Sequence, residues 1–408
     1  MEILPILRTL RRNRVGALLI ALQIALTLAI TSNGLSIIQQ RLRWMQRQTG
    51  IDEANIFTLQ NAWEGDRRDL KSRIEGDLEA LRALPGVIDA EATNSVPLGG
   101  DELHWPLGTM PDQQNLTAWS AVYYVDDHGL AAFGLNLVAG RWFTAAEVGE
   151  VRNHETKIPP AIVVTENIAK ALFPTGDALG KVIYFLPRGS SRIVGVVERM
   201  QRPADALGGS PWGNPWAQYS IFAPFQYLNN GLIYVVHTKP GQQGAMLRAA
   251  PAKLRELTRR RVIQEVQPYS QIRRQAYRHH RSIVIMLSVL SALLLTITAF
   301  GVVGLTMYWV GQRRRYIGMR RALGARRLDI LRYFHTENLL IAGTGCIFGV
   351  AGGLCGDIWL VSSLELARMS AAYICTGALI VLGLCQAAVV WPALRASFVP
   401  PAIAARGL

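Results

Sequence analysis

Four runs of apolar residues, each long enough to cross a bilayer, constrain this chain more than any other feature. They are Val15–Ile38, Ile283–Val310, roughly Asn338–Ser362 and roughly Ala371–Ala393. About 20 helical residues cross the ~30 Å hydrocarbon core, and each run meets that length. None contains Lys or Arg, and Asp357, near the outer end of the third, is the only carboxylate inside them. One such run also fits a buried helix of a soluble protein, but four together do not. The first follows the basic stretch RTLRRNR, as a signal peptide would. Its apolar part is too long for a signal sequence and no A-x-A site closes it, so it reads as a retained anchor.

Charge orients these spans. Arg8, Arg11, Arg12 and Arg14 precede the first, Arg395 and Arg406 follow the fourth, and eight arginines lie in the loop 312–334 between the second and third against the single carboxylate Asp329. Short Arg-rich connections stay in the cytoplasm. The expected order is a cytoplasmic amphipathic N-terminus (1–14), span 1 (15–38), an exported domain with stalk helices (39–282), span 2 (283–311), a cytoplasmic loop (312–334), span 3 (335–363), span 4 (371–393) and a cytoplasmic tail (394–408). Outer-side arginines such as Arg43 and Arg281 do not overturn this, because long domains translocate largely regardless of charge. The net charge of +14 sits mostly at membrane borders, where it meets lipid headgroups. Membrane lipids, and no nucleic acid, are therefore the expected partners of that charge. Cys346, Cys355, Cys375 and Cys385 all fall in the last two spans, so the exported domain has no disulfide and must fold on an apolar core.

The two ends of the exported domain resemble each other. IFTLQ reads as a strand, Arg67–Leu84 places Leu70, Ile74, Leu78, Leu81 and Leu84 on one helical face, Pro85-Gly86 ends the helix, and VIDAEAT is the next strand. LIYVVHT, a helix aligning Leu247, Ala250, Leu254 and Leu257, and RVIQEVQ repeat the pattern, with Pro251 inside the helix as a breaker. The fold expected is thus an α-helical membrane protein with four transmembrane helices plus an α+β extracytoplasmic domain. That domain consists of two βαβ units with an inserted mainly-β subdomain at about 96–224. QQRLRWMQRQTG and YSQIRRQAYRHHRS extend the flanking spans outward as a stem.

No catalytic constellation emerges. GDALGK is one residue short of a phosphate loop, His279-His280 and Asp126-Asp127-His128 lack metal-ligand spacing and read as solvated surface, and no hydrolase, zinc or dinucleotide motif is present. Gly345, Gly349 and Gly353 form a ladder that permits close helix packing, within one chain or between two, and Gly352 and Gly356 add a second. Gly301 and Gly304 offer the same, or a bend, in the second span. Trp212 and Trp216, in the loop QRPADALGGSPWGNPWAQ, are candidates for partner or substrate contact, or simply pack that loop down. The segment QRRRYIGMRRALGARRLDILRYF reads as a short amphipathic helix on the cytoplasmic membrane surface.

That segment resembles the signature of MacB-type permeases of the FtsX-like superfamily, usually E-R-T-R-E-I-G-I-R-[RK]-A-[LIV]-G-A, standing here as QRRRYIGMRRALGA. LVAGRWFTAAE is similar to the family's G-R-x-F, IVVTENIAKALFPTGDALGKVI with RIVGVVE to its N-x-x-x-A-x-x-L-F-P…I-V-G-V-V, and WPALRASFVPPAIAAR to its C-terminal motif. The resemblance implies a dimeric permease seated on two cytoplasmic ATPases, with a coupling helix at Tyr316–Gly324. Gln312, Arg313, Arg314, Tyr316, Ile317, Gly318, Arg320, Arg321 and Gly324 are the coupling residues it implies. ATP-driven closure would then move the stalk helices and rearrange the exported domains, driving export of cargo from the periplasm.

It further implies a bacterial inner-membrane location and a non-catalytic chain that binds no cofactor, with ATP-Mg held by a separate ATPase subunit. The expected partners are that subunit, a second permease (identical or paralogous), and a periplasmic adaptor with an outer-membrane channel. Gln312 and Tyr316 replace two family glutamates, which bears on how the ATPase is held or chosen. The alternatives are an FtsX-like signalling or scaffold permease regulating a periplasmic enzyme, and a lipoprotein-extraction permease.

Overall fold

The computed structural model describes residues 14–64, 69–111, 113, 115–152, 155–186, 188–203, 216–364 and 369–398. It divides into two compact units, one made of Met1–Gln46 with His280–Leu408 and the other of Arg47–His279.

In the first unit, four helices among the described residues are long and apolar enough to cross a membrane, with mean hydropathy of 2.1, 2.6, 1.8 and 2.1. They are α1 (Arg14–Met45), α7 (Arg278–Gln312), α9 (Arg327–Leu364) and α10 (Ala371–Ser397). A short α8 (Arg314–Ala322) lies between the second and third. The glycine ladder faces the same chain. A Cβ on Gly345 would meet Ile24 Cγ2 and the Ala21 carbonyl at 2.8 Å, one on Gly349 would meet Leu28 Cβ at 2.9 Å, and one on Gly353 the Ser32 hydroxyl at 3.3 Å. The missing side chains let α9 approach α1 backbone to backbone. Gly377 brings α10 onto Leu28 and Ser32 as well, and Ile24, Leu28, Ala342, Val381 and Cys385 share one buried core. The spans are also pinned by polar bonds, Thr27 to Thr298, Asn33 Nδ2 to the Gly353 carbonyl, and Asn338 Nδ2 to the Cys385 carbonyl. α7 packs far less, leaving Ile285, Met286, Val289, Leu293, Ile297 and Phe300 exposed. Gly301 faces the Gln23 side chain, while Gly304 has nothing near it.

Beyond its apolar run α1 continues to Met45. Its outer end holds Arg41 and Trp44 against His280, the former by a hydrogen bond and the latter with rings 6.4 Å apart and nearly parallel. His280 is consequently buried rather than solvated, which corrects the surface reading for that residue, while His279 is exposed as expected.

The second unit holds two sheets. In the first, β12 (Arg261–Pro268), β1 (Ile56–Trp63), β11 (Gly231–Thr238) and β2 (Val87–Thr93) lie in that order, all antiparallel to their neighbours. The chain ends are therefore interleaved, since β1 and β2 run the same way with β11 between them, and β11 and β12 flank β1. Helices α2 (Leu70–Arg82) and α5 (Gln243–Leu257) bury Ile74, Leu78, Leu81, Ala250 and Leu254 in a core with Phe57, Leu59 and Tyr234. Pro251 does not break α5, and it is buried there, whereas Leu257 is exposed. Packing one face of the helix outweighs one lost backbone bond.

The intervening segment forms the second sheet. β4 (Ala118–Val125), β3 (His104–Gly108), β8 (Val182–Phe185), β9 (Gly189–Val197), β7 (Ala161–Thr165) and β10 (Ser220–Leu228) pair in sequence, and β10 pairs back to β4. This ring of pairings leaves no free edge among the six. Its interior is filled by Leu107, Val122, Ile162, Val164, Ile183, Phe185, Ile193 and Ile221, with Ile168 and Leu172 of α4 (Glu166–Leu172) over it. The two sheets join where Asn94 bonds both Val122 O and Tyr124 N, and where Thr93 donates to Tyr124 O.

Candidate functional site

The segment leaving α7 is fixed by one buried ion pair. Arg313 donates to both Glu337 oxygens at 2.9 and 3.0 Å and to the Tyr333 hydroxyl at 3.3 Å, with its guanidinium over the Trp309 ring. The Glu337 carboxylate is 2 % exposed. α8 then lays Ile317 and Gly318 inward, Ile317 joining Ile330 and Phe334 in the apolar core. Arg320 stands over the rings of Tyr316 and Tyr333, at 5.1 and 5.7 Å. The helix ends because Gly324 takes a φ of +98° and the Ala325 amide returns to the Arg320 carbonyl. That is the glycine-terminated helix stop in which only a residue without a Cβ is unstrained. Asp329 accepts from the Arg326 amide and opens α9.

Opposite the buried Ile317 face, Arg314, Arg315, Tyr316, Met319, Arg320 and Leu323 are exposed. Gln312 bonds the Tyr308 hydroxyl at 2.7 Å. Arg321 is helical, and its side chain lies outside the described residues. The structure thus brings Arg313, Ile317 and the guanidinium of Arg320 onto Ile330, Tyr333, Phe334 and Glu337 of α9, with Gly318 buried and Tyr316 exposed. Glu337 and Tyr333, which hold the loop, escape sequence reasoning because they fall in the turn preceding the apolar run. The signal available was that Asp329 and Glu337 are the nearest acids to eight loop arginines.

The segments resembling the exported-domain motifs serve the fold. Gly140 has a φ of +74°, and a Cβ there would lie 2.3 Å from the Val194 carbonyl, while one on Gly195 would lie 2.3 Å from the Arg141 carbonyl. Two glycines are thus needed where Leu137–Gly140 pairs antiparallel with β9, Gly140 opposite Gly195. Arg141 grips Glu147 through two 2.7 Å bonds, Trp142 donates to the Asp126 carbonyl, and Phe143 is buried. Asp126 is itself mostly buried, bonded to Arg82 and to the His128 amide beside Glu91, so Asp126 is not solvated surface, while the His128 side chain stays 40 % exposed. Burial, then the neighbouring Asp126 charge, pushes the Glu91 carboxyl well above its ordinary range. Trp216 is half-buried at the end of its loop, and Trp212 lies outside the described residues.

No group of three or more His, Cys, Asp or Glu among the described residues is placed to hold a metal. What α8 offers is an anchored helix with an exposed basic and apolar face, an arrangement suited to receiving a partner.

The chain matches the model of the MacB-like periplasmic core domain over residues 17–264 and that of the FtsX-like permease C-terminal region over 288–401. It is 26 % identical over 372 residues to a macrolide export ATP-binding/permease protein MacB of Rhodopseudomonas palustris, covering 86 % of this chain and 51 % of that protein. A MacB of Escherichia coli is 25 % identical over 321 residues, covering 75 % of this chain and 44 % of that one. The chain spans about half the length of the curated relatives it matches. Among solved structures, the periplasmic region of MacB from Actinobacillus actinomycetemcomitans aligns at 16 % identity with a TM-score of 0.34, over 57 % of this chain and 97 % of that one. The core-domain match alone runs over more than half of the residues, and the chain belongs to the MacB-like, FtsX-like family of ABC transporter permeases.

Proposed function

We propose that this chain is the force-transmitting permease of a MacB-like exporter in a bacterial inner membrane, driven by a separate ATPase subunit that holds ATP-Mg. The observation that carries this is α8, whose inner face is locked to α9 by Ile317 and by the Arg313–Glu337 pair, while Tyr316, Met319, Arg320 and Leu323 face outward. A helix fixed on one side and open on the other passes a push onward instead of folding away. The push would enter α9 and, through the Gly345–Gly349–Gly353 contact, reach α1, which leads into the exported domain. The open apolar face of α7 is where a second permease, identical or paralogous, would pack.

The cargo is read as a periplasmic molecule passed to an adaptor and an outer-membrane channel. A mild-detergent pull-down of the tagged chain, with mass spectrometry of what accompanies it, tests this. An ABC ATPase should be recovered with the native chain and lost with Leu323→Glu. Its hydrolysis should be stimulated less by Gly324→Ala, which strains the helix stop by about 1 kcal/mol. Recovery of a periplasmic hydrolase without an adaptor would instead favour a regulatory permease. Failure to recover any ATPase, or equal recovery with Leu323→Glu, would refute the role given to α8.

A further inference from the structure

A cleft of about 570 Å3 opens between α1 and α10, lined by Leu35, Gln39, Gln40, Arg43, Tyr373 and Thr376. Its level in the membrane follows from the sequence. The apolar run of α1 ends at Ile38 and that of α10 begins at Ala371, so the cleft straddles the outer border of the hydrocarbon. Leu35 and the Thr376 methyl lie at the hydrocarbon end, and Arg43 and the glutamines at the headgroup end.

The polar end is organised. Gln39 Oε1 accepts from Arg43 at 3.3 Å and from the Tyr373 hydroxyl at 3.0 Å, which draws the two donors to one point. Arg43 makes no ion pair with a carboxylate among the described residues. Gln40 Oε1 is buried without a hydrogen-bond partner, its amide nitrogen being spent on Ser36. A guanidinium without a carboxylate and a phenol oxygen free to accept, beside an apolar floor, match an amphiphile whose head is an anion bearing hydroxyl donors. Guanidinium groups bind phosphate through paired hydrogen bonds.

We propose that this cleft is a binding site for one phospholipid of the outer leaflet. The phosphate would sit on the Arg43 N–H groups that Gln39 leaves free, a headgroup hydroxyl would donate to the Tyr373 phenol oxygen, and an acyl chain would lie along Leu35 and Thr376. Phosphatidylglycerol has this chemistry. The site is distinct from the general lipid belt, because its donors are fixed by Gln39 rather than free to follow any headgroup.

The test is native mass spectrometry of the full-length chain delipidated in detergent and titrated with phosphatidylglycerol. One lipid per chain should survive collision energies that strip the rest. Arg43→Gln combined with Tyr373→Phe should weaken that adduct about tenfold, as loss of a charge-assisted contact does. Arg315→Gln, an arginine at the opposite border, should leave it unchanged. Glycerol 3-phosphate in excess should not displace it, since the acyl contact is absent. Equal retention by the double variant, equal loss with Arg315→Gln, or displacement by glycerol 3-phosphate would each overturn the proposal.

Discussion

Glu91 shows how a residue's ionisation follows from where the fold puts it. It is fully buried on β2 beside Asp126, and burial raises its pKa first, with the neighbouring carboxylate adding to the effect. The folded state therefore keeps a proton that the unfolded chain loses above the ordinary value of 4.5. The resulting stability is complete below that value and is lost as pH rises toward the folded pKa. Burial would also raise Asp126, but the Glu91 hydrogen bond and the Arg82 charge hold it low, so its contribution runs the other way and is lost on acidification. The pKa of Glu147 falls to about 2 through its bonds from Arg141, and its stabilisation likewise fades as pH drops below 4.5 toward that value. Glu91→Gln, which keeps the shape but cannot ionise, should flatten the decline of thermal stability as pH rises above 4.5. An unchanged pH profile of melting would show that Glu91 does not titrate there. At the same scale, Arg261 and Asp77 are each 2 % exposed and paired at 2.7 Å, with the Tyr234 hydroxyl on the same carboxylate. Arg261→Met leaves Asp77 buried without its cation and should cost roughly 3–5 kcal/mol, read by denaturant unfolding of the exported unit.

Elements in the membrane unit pack unequally, and glycine decides where. A Cβ on Gly349 would meet Leu28 Cβ and the Ala25 carbonyl at 2.9 and 3.0 Å, whereas one on Gly304 would meet nothing within 4 Å. Gly349→Leu should push α9 off α1 and cost about 1–3 kcal/mol of overpacking, seen as a lower melting temperature in detergent. Gly304→Ala should leave that temperature unchanged or raise it slightly, because it adds helix propensity without a clash. If the two variants behave alike, the α1–α9 contact is not what holds these spans together.

At the scale of the whole molecule, the described residues of the exported unit include one apolar core under the interleaved sheet and another inside the ring of strands. Thr93, Asn94 and Glu91 bond across the junction between them. Residues 47–279, produced alone, should therefore fold without any disulfide and unfold in a single transition by circular dichroism and by tryptophan fluorescence. Two separated transitions would show that the junction does not couple the cores.

Sequence alone determined what rests on local pattern. The four spans, the strands IFTLQ, VIDAEAT and LIYVVHT, the helix face through Ile74 and Leu78, and the helix in the basic loop were all legible, because hydropathy and periodicity act over neighbouring residues. Family membership was legible too, since motifs such as AGRWF and IVGVV hold their order. Tertiary structure decided what depends on residues distant in the chain. It interleaved the two ends of the exported domain, closed the ring of strands by returning β10 to β4, and turned the glycine ladder of α9 toward α1. It also set Arg313 on Glu337 and buried His280 against Arg41 and Trp44. No local signal encodes such pairings, because each is worth something only when packing has removed water from both partners.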